Sequence, residues 1–150
     1  MKLVVAACGA AVVLLLIAGL ALAAAKSRGM APRAGLANGR LAACPASPNC
    51  ASSEPGTDAK HAVTPLGRVT WNALVRAVKE AGGRIIRDDG HYLQAEFRSP
   101  LFGFVDDFEA RRDAASGIVH VRSASRVGHS DLGANARRIA RLRERLAGTR

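Results

Sequence analysis

Between positions 121 and 139 the chain reads VRSASRVGHSDLGANARRI, placing three hydroxyls, four arginines, an aspartate and an asparagine where an alternating run gives way to a helical one. Such a join can do chemistry. A helix start exposes free N–H groups and a partial positive charge, and Arg126 and Arg137 add charge-assisted donors, so an anion pocket at this join is physically reasonable. Gly128 and Gly133 let the backbone turn and approach closely. A second reading competes for the same groups. Ser130 or Asp131 caps the helix, and the arginines complete an ion-pair network with Asp106 and Asp107.

Asp106 is the other anomaly. Alternation puts Phe104, Asp106 and Phe108 on one strand face and Val119, Val121, Ser123 and Ser125 on one face of the next strand. Burying both apolar sets together sets Phe108 opposite Val121 and Asp106 opposite Ser123. The other face then pairs Asp107 with Arg122 and Glu109 with His120, as expected of a solvated surface. A carboxylate on an apolar face needs hydrogen bonds or an arginine. Asp106 is therefore either part of a polar clasp between sheet and helix or a site carboxylate.

Several chemistries find no support. His129-Ser130-Asp131 lists triad residue types, but three successive residues at a turn do not converge as a base, nucleophile and orienting acid must. His61, His91, His120 and His129 lack ligand spacing, so no metal and no other cofactor is expected. Cys44 and Cys50 lack the C-x-x-C spacing of redox motifs. The chain carries a net charge of +10, and residues 137 to 150 hold six arginines against one glutamate. Charge alone gives only salt-sensitive attraction, and with few aromatic residues and no recognition motif no nucleic-acid partner is expected. A solvated helix face near anionic lipid headgroups accounts for the arginines.

The elements that position these residues begin late in the chain. Thr70 is a plausible N-cap for a helix whose face is Trp71, Leu74, Val75 and Val78 and which stops at Gly82-Gly83. Four strand-like runs follow, at 84–87, 92–98, 102–111 and 118–126, joined by short turns. A last helix at 132–146 buries Leu132, Ile139, Leu142 and Leu146. The expected fold is α+β: a four-stranded antiparallel meander sheet packed by two helices, after an N-terminal apolar segment.

That segment, Leu3 to Ala25, is uncharged and follows Lys2, as in an export signal. It is also long enough to cross a membrane, so residues 1–25 are a signal peptide or a membrane anchor. Two small-residue patterns, 21–23 and 23–25, suit a signal peptidase, whereas Lys26, Arg28, Arg33 and Arg40 beyond them argue against a simple anchor with its C-terminus outside. Residues 26–40 read as a flexible linker and 41–147 as one globular domain. Cys44 and Cys50 are an even pair suited to a disulfide, which would remove roughly 2 kcal/mol of unfolded-state entropy. The alternative is two idle thiols in a reducing compartment. The Leu41-Ala42-Ala43-Cys44 box lies too far past the apolar segment for a lipoprotein signal.

Cys44-Pro-x-Ser-Pro-Asn-Cys50-x-Ser-Ser, Gly103-Phe-Val-Asp-Asp107 and Arg122-Ser-Ala-Ser-Arg-Val-Gly-x-Ser-Asp-Leu-Gly-x-Asn135, followed by Arg138-Ile139, together resemble the domain of unknown function 1499 family over about residues 41 to 147. The resemblance implies an exported or membrane-associated protein, with relatives in plant plastids, and supplies no reaction. Its signature residues fall here on Cys44, Asn49, Cys50, Asp106, Asp107, Arg122, Ser123, Ser125, Arg126, Gly128, Ser130, Asp131, Gly133 and Asn135. Ala136-Arg137 departs from the pattern, which places an arginine directly after the asparagine, so Arg137 does not inherit a site role.

These readings lead to an exported protein, periplasmic or membrane-anchored facing the periplasm. Its expected role is a non-catalytic binding or interaction domain for an anionic small molecule or an envelope protein, using Asp106, Asp107, Arg122, Ser123, Ser125, Arg126, Ser130, Asp131 and Asn135. One alternative is a hydrolase acting on an anionic envelope component through Asp106 or Asp131. Another is a purely structural domain.

Overall fold

The computed structural model describes residues 2–32 and 35–148. An uncharged run rich in Ala, Leu and Val forms most of helix α1 (Lys2–Gly29), which is exposed over residues 8–22. A hairpin follows, β1 (Leu36–Ala37) and β2 (Arg40–Leu41), turned by Asn38 and Gly39 at φ 52° and 74°. Asn-Gly suits a two-residue turn needing left-handed backbone at both positions. The stretch expected as linker thus contains a helix end and a hairpin. Cys44 and Cys50 form the disulfide, with Cα atoms 5.7 Å apart, and Cys50 opens strand β3 (Cys50–Ser52).

Helix α2 (Trp71–Glu80) starts where Thr70 accepts a hydrogen bond from the Ala73 N–H, and it ends before Gly82-Gly83. A Cβ on Gly83 would lie 2.7 Å from Val78 Cγ1 and 2.8 Å from Phe97, so the residue there must be glycine. The strands β4 (Arg84–Asp88), β5 (Tyr92–Arg98), β6 (Val105–Arg112) and β7 (Val119–Ser125) form the antiparallel meander, and α3 (Ala134–Ala147) closes the chain.

The sheet has five strands, in the order β3-β7-β6-β5-β4, not the expected four. Three residues are too few to show an alternating period. β3 exists because β7 would otherwise be an open edge, and Cys50, Ala51 and Ser52 pair there with Ala124, Ser123 and Arg122. The expected strand from residue 102 begins only at Val105, because Ser99–Phe104 closes a tight turn with Gly103 at φ 70°.

One sheet face carries the apolar core. Leu93, Ala95, Phe97, Phe108, Ala110, Val119 and Val121 pack against Leu74 and Val78 of α2 and Ile139, Leu142 and Leu146 of α3. Leu132 does not join them. It precedes α3, has φ 52°, and is 84% exposed.

The β6–β7 register differs by two residues from the one expected. Asp106 faces Ser125, Phe108 faces Ser123, Asp107 faces Ala124 and Glu109 faces Arg122. A shift of two keeps every side chain on its face, so alternation cannot distinguish the two registers. The far turn decides: β6 runs on to Arg112, which faces Val119, and the Asp113–Gly117 loop closes beyond it. The second sheet face is also not solvated as expected. Asp107, Glu109, Arg111 and Arg122 are buried beneath the end of α1, the β1–β2 hairpin and the chain near Glu54.

Candidate functional site

The residues singled out from sequence separate onto two sides of the sheet. Asp106, Ser123 and Ser125 point toward α3 and meet Asn135, while Asp107, Arg122 and Arg126 lie on the opposite face.

On the α3 side, Asn135 is fully buried at the centre of a polar clasp. Its carbonyl accepts from Ser123 Oγ (2.6 Å) and Arg138 Nη1 (2.5 Å), and its amide donates to Asn49 O (3.0 Å) and Ser125 Oγ (3.1 Å). Arg138 completes the group by donating to Asp106 Oδ2 at 2.6 Å and to Ser123 Oγ at 2.8 Å. Its guanidinium also lies 4.6 Å from the Phe97 ring centroid. Asn49 reaches the other way and donates to Gly128 O at 2.6 Å. The carboxylate on the apolar face is thus partnered by an arginine from the terminal helix.

The start of α3 is closed by its own chain. Asp131 accepts from the N–H groups of Gly133 (2.9 Å) and Asn135 (2.8 Å), and Ser130 Oγ accepts from the Leu132 N–H (3.2 Å). The N-cap position itself is Gly133, which has no side-chain cap, so Asp131 satisfies the first free N–H groups from two residues upstream. His129 and Arg137 take no part in the clasp; Arg137 donates to Leu132 O at 2.7 Å.

On the other face, arginines and carboxylates alternate in a buried lattice. Arg126, its side chain 1% exposed, donates to Asp107 (2.6 Å), Glu96 (2.6 Å) and, at the end of α1, Met30 O (2.7 Å). Arg84 pairs with the far oxygen of Glu96, and Arg111 pairs with Glu54. Arg122 donates to Glu109 at 3.3 Å, while its Nε meets no acceptor. Glu109 also accepts from the Tyr92 hydroxyl at 2.6 Å. Burial pushes both of these groups upward in pKa: it outweighs Tyr92 and Arg122 at Glu109, and the Glu109 carboxylate adds to it at Tyr92. Burial also disfavours charge on Glu96 and Glu54, but the arginine partners outweigh it and hold both carboxyls below their usual range.

Neither cluster couples a nucleophile to a base. Asp106 is bound to Arg138, both oxygens of Asp131 hold backbone N–H groups, and Arg126 is spent on carboxylates. What remains open is a groove of about 420 Å³ beside the clasp. Leu20 and Ala23 of α1 form one wall, Phe104, Val105, Val127 and Leu132 contribute apolar surface, and Asp106, Ser125, Ser130 and Asp131 form a polar margin. The volume is within the range of small-molecule sites.

Sequence reasoning found Asp106, Ser123, Ser125, Ser130, Asp131 and Asn135 of this region, and missed Leu20, Ala23 and Arg138 as members. Arg138 carried a signal, being one helical turn beyond Asn135. The α1 wall carried none, because nothing in an apolar run says which side meets a domain. No curated protein and no solved structure matches the chain. The model of a family of proteins of unknown function, DUF1499, matches residues 40–146, which hold both clusters and every part of the groove except its α1 wall; the chain belongs to that family.

Proposed function

We propose that the protein is a non-catalytic binding domain of the cell envelope, held on the outer side of a membrane by α1, which takes an amphiphile from the bilayer into the groove between α1 and the start of α3. The groove carries this reading, because the anchor helix itself supplies a wall through Leu20 and Ala23. A ligand leaving the bilayer along α1 would enter it without crossing water. Mostly apolar walls with a polar margin suit an acyl chain joined to a polar head. The carboxylates at that margin, and the engagement of Arg122, Arg126 and Arg138 with acidic partners, favour a neutral or amine-bearing head over the anion expected from sequence.

Retention of α1 is supported by its last turns. Ala24 and Ser27 are buried against the domain, Ser27 Oγ accepts from the Val105 N–H at 3.1 Å, and Arg126 donates to the carbonyl of Met30. Both small-residue cleavage patterns lie inside the continuous helix. Arg28 donates to Phe102 O at 2.8 Å, so its positive charge has a structural use apart from topology. The Cys44–Cys50 disulfide favours an oxidising compartment.

The test is native mass spectrometry of the full-length protein, gently solubilised from membranes. A one-to-one lipid adduct is expected, and Ala23→Trp, which fills the groove from the α1 side, should abolish it. No adduct, or an adduct indifferent to Ala23→Trp, would overturn the proposal.

A further inference from the structure

We infer that the domain seats itself in the bilayer surface through two leucine-tipped turns, at Leu101 and Leu132, beside the emerging anchor helix. The inference rests on α1 being a retained anchor, but not on anything occupying the groove. Single exposed leucines are ordinary on soluble proteins. These two are 83% and 84% exposed, far more than any other large apolar side chain outside α1. Both turns also adjoin the same stretch of α1: Arg28 bonds the Leu101 turn at Phe102 O, and Leu132 lines the groove opposite Leu20 and Ala23.

Neither turn is loose. In the first, the Ser99 N–H donates to Phe104 O (2.9 Å), the Gly103 N–H to Ser99 O (3.1 Å) and the Phe104 N–H to Ser99 Oγ (3.0 Å). In the second, Ser130 and Asp131 accept from the backbone on either side of Leu132, and Arg137 holds the Leu132 carbonyl at 2.7 Å. Leu132 is kept at φ 52°, a left-handed conformation that leucine rarely adopts. Each turn is therefore braced by an arginine and holds its leucine outward, where water gives it no partner.

Ser99 and Phe104, at the ends of the Leu101 turn, line the same groove as Leu132, so both turns lie near the level of Leu20 and Ala23. Residues 3–20 rise about 27 Å at 1.5 Å per residue, close to a hydrocarbon core of about 30 Å. The membrane boundary then falls near Leu20–Ala23, the level that the Leu132 turn and the groove share. Lys26 and Arg28, one turn further along, fall among the headgroups, where long basic side chains extend favourably. A lipid surface is thus the partner whose chemistry and position fit both leucines.

The test uses the full-length, oxidised protein reconstituted in phosphatidylethanolamine–phosphatidylglycerol vesicles, with bromine on the lipid chains near the carbonyls as a depth-dependent quencher. The chain has one tryptophan, Trp71, which sets the baseline. Leu101→Trp and Leu132→Trp should each add quenched, blue-shifted emission. Ala115→Trp, in the exposed turn at the far end of β6, should add emission that bromine leaves unchanged. Thermal unfolding of each variant establishes that the domain has folded. Quenching at neither leucine position, at only one of them, or equally at Ala115→Trp would overturn the two-point seating. Protein that fails to sediment with the vesicles would instead overturn the retained anchor, and with it both proposals.

Discussion

Replacing Arg126 with methionine should be among the most damaging single changes available. The substitution keeps most of the side chain's length and removes only the guanidinium, which holds Asp107 through Nε and Nη2, Glu96 through Nη2 and the Met30 carbonyl through Nη1. With Arg126, Glu96 and Asp107 at 1%, 6% and 3% side-chain exposure, two carboxylates lose a buried partner, one of them still paired to Arg84. Breaking a buried pair from one side costs about 3–5 kcal/mol. At about 4–8 °C per kcal/mol for a domain of this size, the midpoint should fall by roughly 12–40 °C. The pH dependence gives a second, sharper reading. In the parent, Arg126 and Arg84 favour the Glu96 carboxylate and hold it below the usual carboxylate range despite burial. Its contribution is therefore present above the unfolded pKa and is lost as pH falls through the folded one. The variant lacks much of that contribution, so the gap between parent and variant should be widest near neutrality and narrow below about pH 4.5. Circular dichroism melts of both proteins across that range make the measurement. A midpoint change of only a few degrees, or a gap that does not narrow in acid, would refute the view that this lattice holds the fold together.

Asn135→Ala should cost about 2–4 kcal/mol in denaturant titration, since it leaves Ser123, Ser125 and Asn49 O without a shared partner inside the protein; a loss under about 1 kcal/mol would mean that the clasp is replaceable. Tyr92→Phe removes the hydroxyl from Glu109 and should destabilise by about 1–3 kcal/mol at neutral pH. Because the folded pKa of Glu109 lies above its unfolded value, charging it opposes folding as pH rises through that window, and loss of Tyr92 raises the folded pKa further. The cost of Tyr92→Phe should therefore shrink toward pH 4, and pH-resolved melts showing a constant difference would contradict this.

The amino-acid sequence by itself determined the kinds of element and much of their extent. Thr70 and Gly82-Gly83 delimit α2, alternation marks the meander, and the even cysteine pair points to the disulfide, because each signal is local and needs no partner to be read. It also picked out Asp106, since a polar residue on an apolar face must be answered somewhere, while Asn135 was marked only by the family resemblance. The β6–β7 register escaped, because a two-residue slip preserves every face and only the closure of the 113–117 turn chooses between alternatives. The split of the arginine-rich motif escaped for a related reason. Adjacent strand residues point to opposite faces, so Arg122 and Ser123 cannot share a site however close they stand in sequence. Tertiary structure alone decided what covers the charged face and what lines the groove. Both depend on where α1 and the β1–β2 hairpin come to rest, which is settled by contacts such as Arg126 with Met30 O and Leu41 N–H with Glu54, each between segments whose own sequence carries no sign of the other.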